Sequence, residues 1–294
     1  MARAKVKRTV SKGAKAAGKT SVAKVGTKAA RKATAASKAK SSKTKSSRAK
    51  STKTKSATQT KAVKPIELYY WATPNGFKIS IMLEELRVPY TVYPVNISKS
   101  EQFKPEFLKI APNNRIPAII DPNGPGGRPI SIFESGAILQ YLGRKYGKFY
   151  PKDERGRVEV DQWLFWQMGG VGPMAGQLHH FRNYALETLT YAINRYVNEV
   201  NRLYGVMNKR LADRDFIAGK YSIADMALVG WVNGWQNQGQ DIAQFPHLKR
   251  WLDTMKARPA VQRGMALGMD LKATVDMRDP KVQAVLFGQR ARNA

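Results

Sequence analysis

Residues 66 to 76 read Ile-Glu-Leu-Tyr-Tyr-Trp-Ala-Thr-Pro-Asn-Gly, an apolar and aromatic run that stops at a turn. Such a run, bounded by Pro and Gly, reads as a buried strand followed by a sharp change of direction. Ile79, Met82, Leu83 and Leu86 then recur at helical spacing, with Glu84 and Glu85 on the other side. Tyr90 to Val95 supplies a second strand and Phe103 to Ile110 a short helix. Strand, helix, strand implies a parallel pair joined by a right-handed crossover. Ile116 to Ile120 and Ile130 to Phe133 flank a turn rich in Pro and Gly and predict a hairpin. Glu134 to Tyr146 closes the unit as an amphipathic helix, with Ile138, Leu139 and Leu142 inward.

After Pro151 the strand signals stop and long helical patterns take over, which puts a domain boundary near residues 147 to 152. Helices are predicted at about 153–180, 188–212, 222–237 and 246–257. Within the third, Ser222, Ile223, Ala224 and Asp225 form a capping box: Ser222 can cap the backbone N–H of Asp225 while that carboxylate reaches back. The expected organisation is thus a segment 1–64, a sheet-containing domain 65–148, an all-helical domain 152–270 and an extension 271–294.

Charge separates the first segment from the rest. The 294 residues hold 51 Lys plus Arg against 21 Asp plus Glu, a net +30. Residues 1 to 64 carry 21 of those basic side chains and no acid or aromatic, since the first acid is Glu67 and the first aromatic Tyr69. A stretch that cannot bury apolar area to offset its ordering entropy is expected to be disordered. Its Lys, Ala, Ser and Thr resemble a linker-histone tail and suggest nucleic acid or another polyanion as partner, bound without sequence preference and released by salt. A solubilising extension and a transit peptide are the other two readings, though 17 Lys against 4 Arg fits the last poorly. Elsewhere no apolar run approaches the ~18 residues that span a bilayer, so an intracellular, cytoplasmic protein without membrane insertion is expected, with nucleoid or chromatin association open through the tail. There is no cysteine, so no disulfide, thiolate nucleophile or thiolate metal site of its own. Three histidines, two of them adjacent as His179 and His180, give little basis for a metal site.

The order strand, helix, strand, helix, strand, strand, helix is thioredoxin-like, and with an all-helical domain behind it the chain resembles the cytosolic glutathione transferases. The markers are Pro117 after Ile116, Glu134 and Ser135 at the head of the next helix, and the capping box at Ser222 to Asp225. Thr73 to Gly76, Gln102 to Leu108, Ala111 to Ile116, Phe133 to Ala137, Trp163 to Pro173 and Gln177 to Phe181 look closest to the bacterial nu class, the disulfide-bond oxidoreductases. The likeness covers Ile66 to about Ala260 and leaves out the tail. It implies an α/β thioredoxin-like N-terminal domain plus an all-α C-terminal domain, preceded by the disordered basic tail, and a homodimer.

The resemblance also implies a site for glutathione. A free thiol has a pKa of about 8.5, so its chemistry near neutral pH needs something that stabilises the anion. The turn at Thr73 to Gly76 opens a helix, where unpaired N–H groups and the dipole favour negative charge. In the nu class Thr73 and Asn75 face the glutathione sulfur; as a plain cap, Thr73 is also sufficient for the helix. If the bond before Pro117 is cis, the Ile116 backbone can pair with the cysteinyl amide. Glu134 and Ser135 are placed at the γ-glutamyl end, Gln102 at the glycyl end, and Arg195 near the ligand carboxylates. Trp163 to Pro173 suggests a helix interrupted for close backbone approach. His179 and His180 read more readily as structural than as proton carriers.

The expected function is glutathione-dependent thiol–disulfide exchange on small disulfides, with transfer to electrophilic substrates, using the thiolate of bound glutathione where other proteins use a cysteine. The rival is a non-catalytic transferase-like module tethered to nucleic acid or another polyanion by its tail.

Overall fold

The computed structural model describes residues 64–270 and 275–291. The segment read as a basic tail lies, apart from Lys64, outside the described residues, as does the polyanion partner assigned to it.

A four-stranded sheet runs β1 (Ile66–Tyr70), β2 (Tyr90–Pro94), β3 (Ala118–Asp121) and β4 (Ile130–Phe133), in spatial order β2-β1-β3-β4. β1 and β2 are parallel, and α1 (Pro74–Leu86) crosses between them. β3 is antiparallel to β1, with Leu68 opposite Ile119, and pairs with β4 as the predicted hairpin. Side chains on β1 alternate between the two faces of the sheet. Leu68 belongs to the main core with Ile79, Met82, Leu83 and Ile119. On the other side Val95, Phe107, Ala111 and Ala118 pack together, with Tyr69 against them. Each fully buried aliphatic of this kind contributes about 1.5–3 kcal/mol relative to exposure.

The helix expected over 103–110 is shorter. Pro105 forces Lys104 into an extended conformation, with φ −64° and ψ 138°, so Phe103 ends a separate tight turn and α2 runs only from Pro105 to Leu108. α3 (Ser135–Tyr146) follows β4 and ends at Gly147 with a left-handed φ of 62°.

The helical part comprises α4 (Glu154–Trp166), α5 (Gly172–His179), α6 (Thr190–Arg210), α7 (Ile223–Val232), α8 (Pro246–Ala257), α9 (Pro259–Ala266) and, after the undescribed residues 271–274, α10 (Pro280–Leu286). The helix expected over 153–180, with an interruption within Trp163 to Pro173, has that interruption as a wide turn at Gln167–Val171. Pro173, two residues on, has no N–H with which to continue an ordinary ladder. The capping box stands: Asp225 accepts from the Ser222 N–H at 3.0 Å and the Ser222 hydroxyl accepts from Ala224 at 3.3 Å. α9, headed by Pro259 at its first position, is not among the predicted helices, and it makes α1 an interior helix. Glu84 pairs with Arg263, and Glu85 with Arg258, so the acidic side of α1 faces arginines and not open water. Among the described residues no helix is long and apolar enough to cross a membrane.

Candidate active site

The mouth of α1 is built by its cap, Thr73, and its first three residues, Pro74 to Gly76. Thr73 is extended, and its Oγ1 accepts from the Gly76 N–H at 3.1 Å while its carbonyl accepts from Phe77 at 2.9 Å. The cap uses the oxygen as acceptor only, which leaves the hydroxyl hydrogen to donate. Pro74 has no N–H, so the Asn75 N–H is the first-turn donor that Thr73 does not take. A Cβ at Gly76 would lie 2.2 Å from the Trp71 carbonyl oxygen and 2.9 Å from the Tyr70 ring, which is why the turn needs glycine there.

Asn75 is oriented from the other domain. The Trp231 indole donates to Asn75 Oδ1 at 3.2 Å. An indole N–H only donates, so the oxygen must face it and Asn75 Nδ2 keeps both hydrogens for something else. α7 comes this close because residue 230 is glycine: a Cβ there would stand 3.0 Å from the Pro74 carbonyl.

Two neighbouring cavities open at this mouth. One, of about 430 Å³, is lined by Thr73, Asn75, Gln102, Ile116, His179 and Trp231, among others. The second, of about 460 Å³, is lined by Asn75, Lys78, Glu134, Ser135, Gln167 and Trp231, among others. Asn75, Arg115, Gly176 and Trp231 belong to both. The volumes are those of small-molecule sites.

In the first cavity the Ile116–Pro117 bond is cis, and Pro117 is buried at the head of β3. Gln102 is buried, with Nε2 donating to the Ile97 carbonyl at 3.0 Å and Oε1 left without a partner. Burial lowers the His179 pKa and raises that of Tyr184, so both rings are held neutral. Tyr69 donates to Glu67 and Tyr70 to the Leu267 carbonyl, and burial foremost pushes each phenol up to about 12, so neither serves as a phenolate near neutral pH. Met277, Leu286, Phe287 and Gln289 of the C-terminal segment also line this cavity, a contribution with no sequence signal. Arg115 holds that segment through Gln289 at 3.1 Å.

In the second cavity Glu134 carries a φ of +66°, unusual for a residue with a side chain, and presents α3 with Ser135 buried at its head. Lys78 comes from α1 and is 1 % exposed. Its amine donates to Gln167 Oε1 at 2.7 Å, Ser135 Oγ at 3.3 Å and Met168 Sδ at 3.4 Å. Burial pulls this amine down to about 7, with the Glu134 charge acting in the opposite sense.

The structure therefore brings together Thr73, Asn75, Gln102, Ile116, Glu134 and Ser135 around two joined cavities, with Pro117 at their edge. Arg195 is not among them: it is exposed on α6 and lines neither cavity. Sequence reasoning missed Lys78, Arg115, Gln167 and Trp231. Lys78 could have been noticed as a cation four residues before Met82 on the buried stripe, and Arg115 as the neighbour of Ile116. Nothing in the sequence pairs Trp231 with Asn75. Chemically, the mouth of α1 offers a hydroxyl and an amide donor to an anion at the positive end of a helix.

Comparison with known proteins agrees with this architecture. Residues 64–144 match the model of the glutathione S-transferase N-terminal domain, and residues 191–259 that of the C-terminal domain. Disulfide-bond oxidoreductase YfcG of Escherichia coli is 50% identical over 204 residues, covering 69% of this chain and 94% of the relative. Disulfide-bond oxidoreductase YghU of the same organism is 40% identical, over 68% and 74% of the two chains. Among solved structures, a Burkholderia graminis glutathione transferase with two glutathione molecules per subunit matches with a TM-score of 0.67 and 46% identity, over 70% of this chain and 89% of that one. A Pseudomonas putida glutathione transferase with one glutathione disulfide per subunit matches with a TM-score of 0.66 and 43% identity, over 71% and 94%. With both family models in register and a relative half identical over nearly its whole length, the chain belongs to the glutathione S-transferase family.

Proposed function

We propose that the protein is a glutathione-dependent thiol–disulfide oxidoreductase with transferase activity toward electrophiles, working through the thiolate of bound glutathione. One observation carries the reading: the Thr73 hydroxyl and Asn75 Nδ2 are free to donate at the mouth of α1, in a chain with no cysteine. The unpaired Gln102 Oε1 supports it at the other end, because a buried acceptor without a partner calls for a donor and the glycyl amide N–H is one. Ile116 would pair with the cysteinyl amide, and Glu134 and Ser135 with the γ-glutamyl ammonium and carboxylate.

Thr73 and Asn75 hold negative charge on sulfur, while the other residues fix the peptide so that sulfur meets its target. In disulfide exchange one S–S bond forms as another breaks, and the leaving sulfur departs as a thiolate that takes a proton from solvent. Nothing in this sequence of bonds needs a protein thiol. The paired cavities suit a glutathione disulfide or two tripeptides, the ligands bound per subunit in the Pseudomonas putida and Burkholderia graminis structures. Thr73→Ala with Asn75→Ala is expected to remove about 3–4 kcal/mol of transition-state stabilisation, by analogy with anion-hole deletions. Undiminished rates with both 2-hydroxyethyl disulfide and chlorodinitrobenzene would refute the sulfur site.

The non-catalytic module makes the opposite claim, and a calorimetric titration decides: no heat with glutathione into the millimolar range would favour it. Two further parts of the reading stand on separate grounds. Val158 and Phe165 are 50% and 65% exposed on α4 and suit a homodimer interface, which sedimentation would test. The unopposed charge of residues 1 to 64 suits non-specific nucleic acid binding. Retention on DNA at low salt should disappear when that segment is deleted, and equal retention would defeat the assignment.

A further inference from the structure

Lys78 has the surroundings of a cation without a counter-ion. The amine is buried between α1, the head of α3 and the wide turn at Gln167–Val171, and its three partners are the neutral acceptors of Ser135, Gln167 and Met168. No carboxylate among the described residues is within ion-pair distance of it. The charged groups facing the same cavity are Glu134 at the head of α3 and Arg115 before β3. Gln167 is fully buried, and it spends its oxygen on Lys78 while Nε2 has no acceptor. That nitrogen lies against Gly172, where a Cβ would be 2.7 Å away, and both residues line the cavity. An idle buried donor beside a buried amine with no anion is a site shaped for a carboxylate that the protein itself does not supply.

We propose that Lys78 is a positioning residue of the glutathione site which takes up one proton from solvent when a ligand carboxylate docks beside Ser135 and Gln167 Nε2, so that anion and counter-charge enter the protein together. This rests on the glutathione reading and deepens it. The proton adds to the lone pair of Lys78 Nζ; no other bond changes. The buried amine is about half neutral near pH 7 and largely neutral above it, and an incoming carboxylate favours its charged form. Affinity for a carboxylate ligand therefore falls as pH rises above 7, because more of the amine must then be recharged.

The test uses the full chain and S-methylglutathione, whose sulfur cannot ionise and whose α-ammonium titrates alike for both proteins, so the readout is the difference between the natural chain and Lys78→Met. Titration calorimetry at pH 8 in buffers of different ionisation enthalpy is expected to show uptake approaching one proton per site. Affinity should fall about 5–10-fold between pH 7.5 and 8.5. Lys78→Met is expected to bind at least tenfold more weakly at pH 7.5, with proton uptake lower by most of one proton at pH 8 and a correspondingly shallower pH profile. Binding by the natural chain with no proton uptake, or the same pH slope in both proteins, would overturn the role of Lys78 and leave the glutathione site standing. No binding by the natural chain at millimolar ligand would overturn the glutathione reading and this inference with it.

Discussion

Replacing Trp231 with Phe asks whether Asn75 acts as a donor because the helical domain orients it. The substitution removes one hydrogen bond, the 3.2 Å contact to Asn75 Oδ1, and keeps an aromatic ring against α5. A neutral hydrogen bond of this kind has a net value of about 0.5–1.5 kcal/mol. Its loss lets the amide turn over, so that an oxygen faces the sulfur for part of the time where an N–H stood. A fully removed anion-facing donor costs about 2.7–4 kcal/mol. Trp231→Phe should therefore cost about 1 kcal/mol, roughly a fivefold drop in kcat/KM. Asn75→Ala should cost about a hundredfold. In the double variant the indole has no amide left to orient, so its rate should match that of Asn75→Ala, a coupling of about 1 kcal/mol. The assay is glutathione-dependent reduction of 2-hydroxyethyl disulfide, with urea midpoints to confirm that each variant folds. A further fivefold loss when Trp231→Phe is added to Asn75→Ala would refute the orienting role.

Two other perturbations follow from buried polar groups. The Lys78 amine is held at about 7, whereas an unfolded lysine titrates near 10.4. Between those values the unfolded chain binds more protons, so this group makes stability rise with pH from about 7 toward 10, and its full penalty, at most about 4–5 kcal/mol, is present below 7. Urea midpoints of the natural chain should climb over that window relative to Lys78→Met, and parallel profiles would contradict a buried neutral amine. Asp225 is fully buried and accepts from the Ile217 and Ser222 N–H groups and the Trp251 indole, all at 2.9–3.0 Å. Asp225→Asn sets an amide N–H against those donors and should cost about 2–4 kcal/mol by urea denaturation, with glutathione affinity of the folded protein unchanged. Equal stability would mean the carboxylate is not what ties α7 to α8.

What could be read in advance was whatever depends on neighbours in sequence. The turn at Thr73 to Gly76, the stripe of Ile79, Met82, Leu83 and Leu86, the hairpin around Asp121 to Pro129 and the capping box at Ser222 are local patterns, and each stands in the structure. The helix over 103–110 failed on a local rule that was there to be applied, the effect of Pro105 on Lys104. Other features depend on residues far apart. Glu85 and Glu84 could be placed only on the side of α1 away from its apolar stripe, because their partners, Arg258 and Arg263, lie 173 and 179 residues away. Trp231 and Asn75 are 156 apart, and Lys78 and Gln167 are 89 apart. A lysine between apolar residues shows no burial until the second domain closes over it. The candidate site was therefore visible at the helix mouths that hold it and not in the side chains that orient those mouths.

The most direct test of the central claim is the ionisation of glutathione bound to the natural chain, followed by ultraviolet difference absorbance of the thiolate. The absence of cysteine removes any protein thiolate from that signal, and Tyr69 and Tyr70 beside the turn titrate only at about 12. The donors at Thr73 and Asn75 should hold the bound thiol at a pKa of about 6 to 7, against about 8.5 for a free thiol, with the ordinary value restored in Thr73→Ala/Asn75→Ala. A bound thiol that ionises at its free value in the natural chain would contradict the claim.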